Sequence, residues 1–294
     1  MSRTLLRTAL LALSAVVAAA QAAPLKVDVM QTSASSLYTS ITLISGEKKA
    51  VLVDAPFTRA DAHRVVAWVL ESGKELESVY VTHDHPDHFF SMEVITQAFP
   101  HVKVISAPRV VEDIWKSIPF KVKRWSPMLG TNGPRYPTAP EVVQGDHFLL
   151  EGERIEIVGP LQGDHVHCTA LYVPSAKALI GGDLLFNEMH LWLGESLAPA
   201  RADWLKAVEH LSTLGATTVI AGHKKPGLPD DASALTYTRN YLVAWEAAVK
   251  ASKDSADLRR RITAAFPQTI DILGDFLLGN SSRVAMGEEP AWQE

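Results

Sequence analysis

The chain has 294 residues, 47% apolar and 21% charged, the proportions of an ordinary globular protein rather than a disordered one. Its 28 basic and 33 acidic residues give a formal charge of −5 with no basic run, which argues against binding nucleic acid by phosphate neutralisation. Cys168 is the only cysteine, so neither an intrachain disulfide nor a cysteine-built zinc knuckle is available.

Met1 to Ala22 read as an export signal. Arg3 and Arg7 precede an apolar stretch, Ala9 to Ala20, and Ala20-Gln21-Ala22 has the small-x-small form of a cleavage site before Ala23. The stretch falls short of the roughly 20 apolar residues that a membrane span needs. Its removal takes away two arginines and no acids, leaving a charge of −7 on the mature chain. The expectation is a periplasmic or secreted protein with no stable membrane insertion once the signal is removed.

After the signal, short β-branched runs alternate with helical stretches. Leu25–Met30, Ile41–Ile44 and Ala50–Asp54 read as strands, and Arg59–Glu71 as a helix with apolar Val65, Val66, Val69 and Leu70. Ser78–Thr82 reads as a buried strand, Phe89–Phe99 as a helix stopped by Pro100, and Val102–Ser106 as another strand. A helix is expected over Pro108–Lys116. Residues 117–145 contain five prolines and three glycines, and their weak periodicity predicts an irregular cap or lid carrying Phe120, Trp125, Met128 and Tyr136.

The second half repeats the alternation. His147–Leu150, Arg154–Val158, Thr169–Val173, Ala178–Gly181 and Thr217–Ala221 read as strands. Arg201–Leu214, Leu235–Ala251 and Ala256–Ala265 read as helices. No linker divides the chain, so residues 23–294 are expected to form a single domain, with helices packed outside a sheet sandwich.

The chemistry concentrates in Thr82-His83-Asp84-His85-Pro86-Asp87-His88, between a predicted strand and a predicted helix. Imidazole and carboxylate both bind zinc-like ions at about 2.0–2.2 Å. In an extended turn His83 and His85 point the same way, while Asp87 and His88 turn toward a second point, so the segment begins two adjacent metal sites. Asp183 follows the strand-like run Ala178-Leu179-Ile180 and the pair Gly181-Gly182; His223 follows Val219-Ile220-Ala221-Gly222. Apolar strand, glycine, then ligand-type residue is how a sheet presents side chains at one edge.

These motifs, in this order, resemble those of the metallo-β-lactamase fold superfamily over nearly the whole mature chain. The resemblance implies an α/β fold, a four-layer αββα sandwich with a dinuclear metal site at one edge. It implies that His83 and His85 hold the first metal, that Asp87, His88 and His223 hold the second, and that Asp183 bridges both. One position departs from the pattern. Where the superfamily places a third histidine for the first metal, this chain has Gln162-Gly163-Asp164-His165-Val166-His167-Cys168. Counting back from Tyr172-Val173-Pro174 puts the register on Asp164, with His165 and His167 as alternatives. An oxygen donor there makes the first site harder, so manganese or iron competes with the two Zn²⁺ otherwise expected.

Two metals sharing a ligand bring the pKa of a bridging water down toward about 7, which makes hydroxide the expected nucleophile without a dedicated base. Asp87 is placed to hold that hydroxide in line, so Asp87 and Asp183 are the expected catalytic carboxylates. Cys168 reads as a strand residue. His190 and Trp192 are candidate substrate contacts, and Lys224 and Lys225 candidate steering charges for an anionic substrate. The expectation is a metal-dependent hydrolase of a small ester, lactone or thioester. The alternatives are a β-lactam hydrolase or an iron-dependent redox enzyme of the thiol dioxygenase type.

Overall fold

The apolar runs of the first half pair into a six-stranded sheet: β1 (Lys26–Gln31), β2 (Ser40–Ser45), β3 (Lys49–Val53), β4 (Glu75–Tyr80), β5 (Lys103–Ser106) and β6 (Glu141–Val142), in that spatial order. β1 to β3 form an antiparallel meander, and β3 to β6 run parallel. Parallel neighbours need crossovers, supplied here by α1 (Arg59–Glu71), α2 (Met92–Ala98) and α3 (Pro108–Leu129). The computed structural model describes residues 23–293; the expected export signal, residues 1–22, lies outside them.

The second half contributes β7 (His147–Leu150), β8 (Glu153–Leu161), β9 (Cys168–Val173), β10 (Ala178–Ile180), β11 (Phe186–Asn187), β12 (Thr218–Ile220) and β13 (His223–Lys224). Five of these form a sheet in the order β12-β10-β9-β8-β7, while β11 and β13 pair separately. α4 (Ala198–Ser212), α5 (Ser233–Ala251), α6 (Ser255–Ala265) and α7 (Phe276–Ala285) complete the chain. The architecture is the expected four-layer αββα sandwich. The two sheets are in contact: Tyr80 stacks on Phe148 at 5.8 Å, and the Thr169 backbone N–H donates to Thr82 O at 3.0 Å. Among the described residues no helix is long and apolar enough to cross a membrane.

Local sequence explains the helices. Thr58 caps α1 by accepting from the Asp61 N–H, and Ala62, Val65 and Val69 bury one face at helical spacing. α5, which has no side-chain cap, likewise buries Ala234, Thr238, Tyr241, Leu242 and Trp245. The expected break after Lys116 is corrected. α3 is one helix that continues to Leu129 through Pro119 and Pro127. Val110, Ile114, Ser117 and Lys121 recur at steps of four, three and four and are all buried. That continuous inner face offsets a cost of about 3 kcal/mol for an interior proline. α7 lacked a predicted counterpart; the Asp271 carboxylate starts it by accepting from the backbone N–H groups of Leu277 and Leu278.

Candidate metal centre

Strand pairing explains why distant residues meet. Val53 of β3 pairs in parallel with Tyr80 of β4, so the residues after both strands, Asp54 and Thr82-His83, emerge at the same edge. Ile180 of β10 pairs in parallel with Ile220 of β12, which brings Asp183 and His223 out together. The backbone link between Thr82 and Thr169 holds the two edges side by side.

Two groups of ligand-type atoms result. His83, His85, Asp164 and Asp183 form one, and Asp87, His88 and His223 the other, each with its ligand atoms within 4.8 Å of one another. In the first, His85 Nδ1 is 3.1 Å from Asp164 Oδ2, and His83 Nε2 is 3.9 Å from Asp164 Oδ1 and 3.7 Å from Asp183 Oδ2. In the second, His223 Nε2 is 3.1 Å from Asp87 Oδ2, and His88 Nε2 is 3.7 Å from the same oxygen. Asp183 joins them: its Oδ1 lies 3.1 Å from His88 Nε2 and its Oδ2 lies 3.1 Å from His223 Nε2. All seven side chains are buried.

The donor set fits divalent transition ions. Burying a polar atom without a partner is costly, yet His83 Nε2, Asp164 Oδ2 and Asp183 Oδ1 make no hydrogen bond. Ligand atoms on a common ion at about 2.1 Å stand roughly 3.4 Å apart in tetrahedral geometry, close to the spacings here.

Hydrogen bonds behind the groups set which nitrogen of each imidazole faces inward. His88 Nδ1 lies 2.7 Å from Asp54 Oδ2, and the His223 Nδ1–H donates to Leu37 O at 2.9 Å. Thr82 Oγ1 donates to Asp54 Oδ2 at 2.9 Å, so it accepts from the His83 Nδ1–H at 3.0 Å. These three histidines therefore offer Nε2. His85 is reversed: its Nε2 lies 3.2 Å from Glu195 Oε1, leaving Nδ1 to face Asp164.

The charges follow from this crowding in the ion-free protein. Burial would raise the pKa of Asp183, but His223, His88 and His83 outweigh it and hold the carboxyl well below its usual range. Burial, and then the Asp183 charge, lift Asp164 to about 7 against the opposing pull of His85. Burial disfavours the charged form of His223, yet Asp183 and Asp87 push it up to about 10. His83 moves the other way, well below the usual range, through burial and the neighbouring His88.

Of the residues left open by the sequence, Asp164 enters the first group. His165 stands beside it with its ring 5.6 Å from that of His85, and His167 Nδ1 lies 2.6 Å from Asp113. Cys168, on β9, is buried with Sγ 3.6 Å from Asp164 Oδ1.

The groups open into a cavity lined by Leu37, Phe57, Trp125, Phe186, Trp192, Ile272, Phe276, Leu277 and Trp292, with Glu195, Asp87 and His223 at its polar end. The expected lid is corrected here. Trp125 lines the cavity, but Phe120 and Met128 are exposed, because α3 turns only one face inward, and Tyr136, beyond the end of α3, is exposed as well. The cavity is walled instead by the C-terminal residues Phe276, Leu277 and Trp292. Trp192 takes part as expected, whereas His190 Nδ1 turns to Tyr241 Oη at 2.8 Å. The expected steering lysines are also corrected. Lys224 is buried, 2.6 Å from Asp230, and Lys225 pairs with Glu188 at 3.0 Å. Asp54, Glu195 and Trp292 were not singled out from the sequence. Asp54 follows a strand as Asp183 does, which is a usable signal; Glu195 and Trp292 sit in segments without periodicity.

The family model described as the metallo-beta-lactamase superfamily matches residues 35–223. A metallo-beta-lactamase type 2 from Pseudomonas aeruginosa is 25% identical over 208 residues, 70% of this chain and 72% of that protein. The DIM-1 metallo-beta-lactamase structure superposes with a TM-score of 0.55 at 20% identity, covering 76% of this chain and 99% of that one. A metallo-beta-lactamase from Pontibacter korlensis gives 0.52 at 20% identity over 70% of this chain and 87% of its own. With the family model spanning the ligand motifs from the first histidine to the last, the chain belongs to the metallo-beta-lactamase superfamily.

Proposed function

We propose that this protein is a dinuclear metal-dependent hydrolase acting on small esters, lactones or thioesters. The observation that carries the reading is Asp183, whose two oxygens face histidines of the second group while one also faces His83 of the first. A carboxylate so placed suits two cations rather than one. His83, His85 and Asp164 would hold the first, Asp87, His88 and His223 the second, and Asp183 both. Two such ions supply Lewis acidity and a water acidified enough to attack at neutral pH.

The remaining steps belong to the chain. Asp87 lines the cavity and is fixed by Thr39 Oγ1, which donates to its Oδ2 at 3.1 Å, so it is placed to orient the attacking water. The aromatic walls exclude bulk solvent and receive the acyl or leaving group, which favours acyl substrates over polyphosphates. A β-lactam is the second reading, supported by the β-lactamase names of the related proteins. The export signal read from residues 1–22 supports a periplasmic or secreted location.

Metal analysis combined with a substrate screen tests the proposal. Two zinc or manganese ions per chain are expected, with hydrolysis of an ester, thioester or lactone that Asp183→Ala and His85→Ala abolish while the circular dichroism spectrum is retained. Bound redox-active iron with thiol oxidation and no hydrolysis would overturn it in favour of the dioxygenase reading. Full activity in both variants would overturn the site assignment.

A further inference from the structure

The polar end of the cavity holds more carboxylate charge than two divalent cations would offset, which bears on substrate choice; the inference rests on the metal-site reading above. Two divalent cations would bring four positive charges, and the buried carboxylates of Asp54, Asp87, Asp164 and Asp183 balance all four, which leaves the Glu195 carboxylate in excess. None of the described residues lining the cavity is a lysine or an arginine. The two lysines beside His223 are neutralised, Lys224 by Asp230 and Lys225 by Glu188. Arg124 stacks on Trp292 at 3.8 Å but lines a separate polar groove with Glu289. An anion entering this cavity would therefore leave water for apolar walls and find a carboxylate without a compensating cation.

Glu195 is built into this position. Its Oε1 accepts from the Trp192 Nε1–H at 2.9 Å and lies 3.2 Å from His85 Nε2, so the carboxylate is locked at the polar end. Beyond it the wall is a set of crossed rings. Trp192 stacks on Phe276 at 5.2 Å, and Trp292 stands edge-on to Trp192 at 4.8 Å and to Phe276 at 5.3 Å. Trp292 is held at the rim by its own backbone N–H, which donates to Gly194 O at 2.9 Å. Rings fixed at right angles leave slots that suit a flat apolar group.

We infer that the enzyme selects uncharged substrates carrying a flat apolar group, that Trp192, Phe276 and Trp292 receive this group, and that Glu195 sets the selectivity by repelling anions. Glu195 is thereby a specificity-determining residue as well as a positioning residue for His85. The inference narrows the ester, lactone and thioester class to its neutral members and disfavours carboxylate-bearing ones.

The test uses binding, so that it does not depend on turnover. Zinc-loaded protein is titrated with butyranilide and with succinanilic acid, two anilides that differ in a distal carboxylate, and tryptophan fluorescence is followed. The neutral amide is expected to bind at least about tenfold more tightly, because like charges facing each other across an interface are costly. Equal or tighter binding of the acid overturns the inference. Glu195→Gln, with its zinc content verified, is expected to shrink the gap to about threefold or less. Trp292→Ala is expected to weaken butyranilide by about fivefold or more. An unchanged gap in the first variant, or unchanged affinity in the second, removes the role of that residue. Failure of every neutral ester and thioester to be hydrolysed, with the binding preference intact, would sink the hydrolase reading alone. Equal kcat/KM for neutral and anionic esters would sink the selectivity alone.

Discussion

His88 and Asp54 are joined at 2.7 Å, Nδ1 to Oδ2, beyond the ends of two parallel strands that are neighbours in one sheet. Asp54 also accepts from the Thr82 backbone N–H at 2.8 Å and from Thr82 Oγ1 at 2.9 Å, and through that hydroxyl it orients His83 as well. One carboxylate thus sets the inward-facing nitrogen of a histidine in each metal group. Its backbone φ of +67° is in the left-handed region, which asparagine also tolerates.

Asp54→Asn should therefore keep the backbone and lose the charge-assisted bond. Metal affinity is expected to fall roughly 10- to 100-fold, as for other outer-shell carboxylates. Competition against a chromogenic chelator measures it, and an unchanged affinity would show that Asp54 does not hold the histidines.

Gly222 is needed for space rather than for flexibility. A Cβ there would stand 2.0 Å from Asp183 Oδ1 and 2.6 Å from the Gly182 carbonyl carbon. Gly222→Ala is expected to displace Asp183, cost about 1–3 kcal/mol of stability as overpacking does, and reduce bound metal in both groups. Thermal unfolding and metal analysis of the same sample check the two effects together.

Asp164→Ala should empty one group and spare the other, lowering bound metal from about two ions per chain to about one, since a closed site needs its full ligand set. Asp164→His replaces the oxygen donor by nitrogen and should move preference from manganese toward zinc, read by loading the protein with both metals present. Unaltered stoichiometry in Asp164→Ala would place the missing ligand elsewhere, with His165 next in line.

Metal uptake should release protons. In the ion-free protein His223 is raised to about 10, with burial opposing and Asp183 and Asp87 prevailing; His88 lies well above its usual range for the same balance with Asp183 and Asp54. Both are protonated at pH 7 and must lose that proton to bind a cation. Affinity should rise with pH across the neutral range. Calorimetry in buffers of different ionisation enthalpy should report more than one proton released per chain at pH 7.

Much of this was legible from the sequence because it rested on strand ends. Leu179-Ile180 before Gly182-Asp183 and Val219-Ile220 before Gly222-His223 announce two buried strands, each delivering a polar residue where apolar character stops. The fold gathers those residues with His83, His85, Asp87 and His88. α1 matched its predicted span because cap, periodicity and terminus agree. α3 did not, since proline is read as a helix terminator and tertiary burial of Ser117 and Lys121 overrode it. Lys121 is buried with Nζ 2.9 Å from Asp84 Oδ1, an arrangement that hydropathy reading assigns to the surface. The lid was misplaced for a related reason. Aromatic residues between prolines suggest a cover, whereas the wall residues Phe276 and Trp292 come from a C-terminal segment whose docking depends on contacts far away in sequence.

The way the ligands are distributed along the chain has a consequence for biogenesis. His83 and His85 follow a strand of the first sheet, and Asp164 and Asp183 follow strands of the second; His223 arrives only after every strand of those two sheets has been made. The first group lacks its last ligand until Asp183 is made and the second until His223 is made, so a cation has no finished site in the first half of the chain. The sandwich must close by apolar burial first, against the entropy of joining distant segments. Metal loading is then expected to follow folding, and the ions present where the sheets come together to decide which metal the protein takes up.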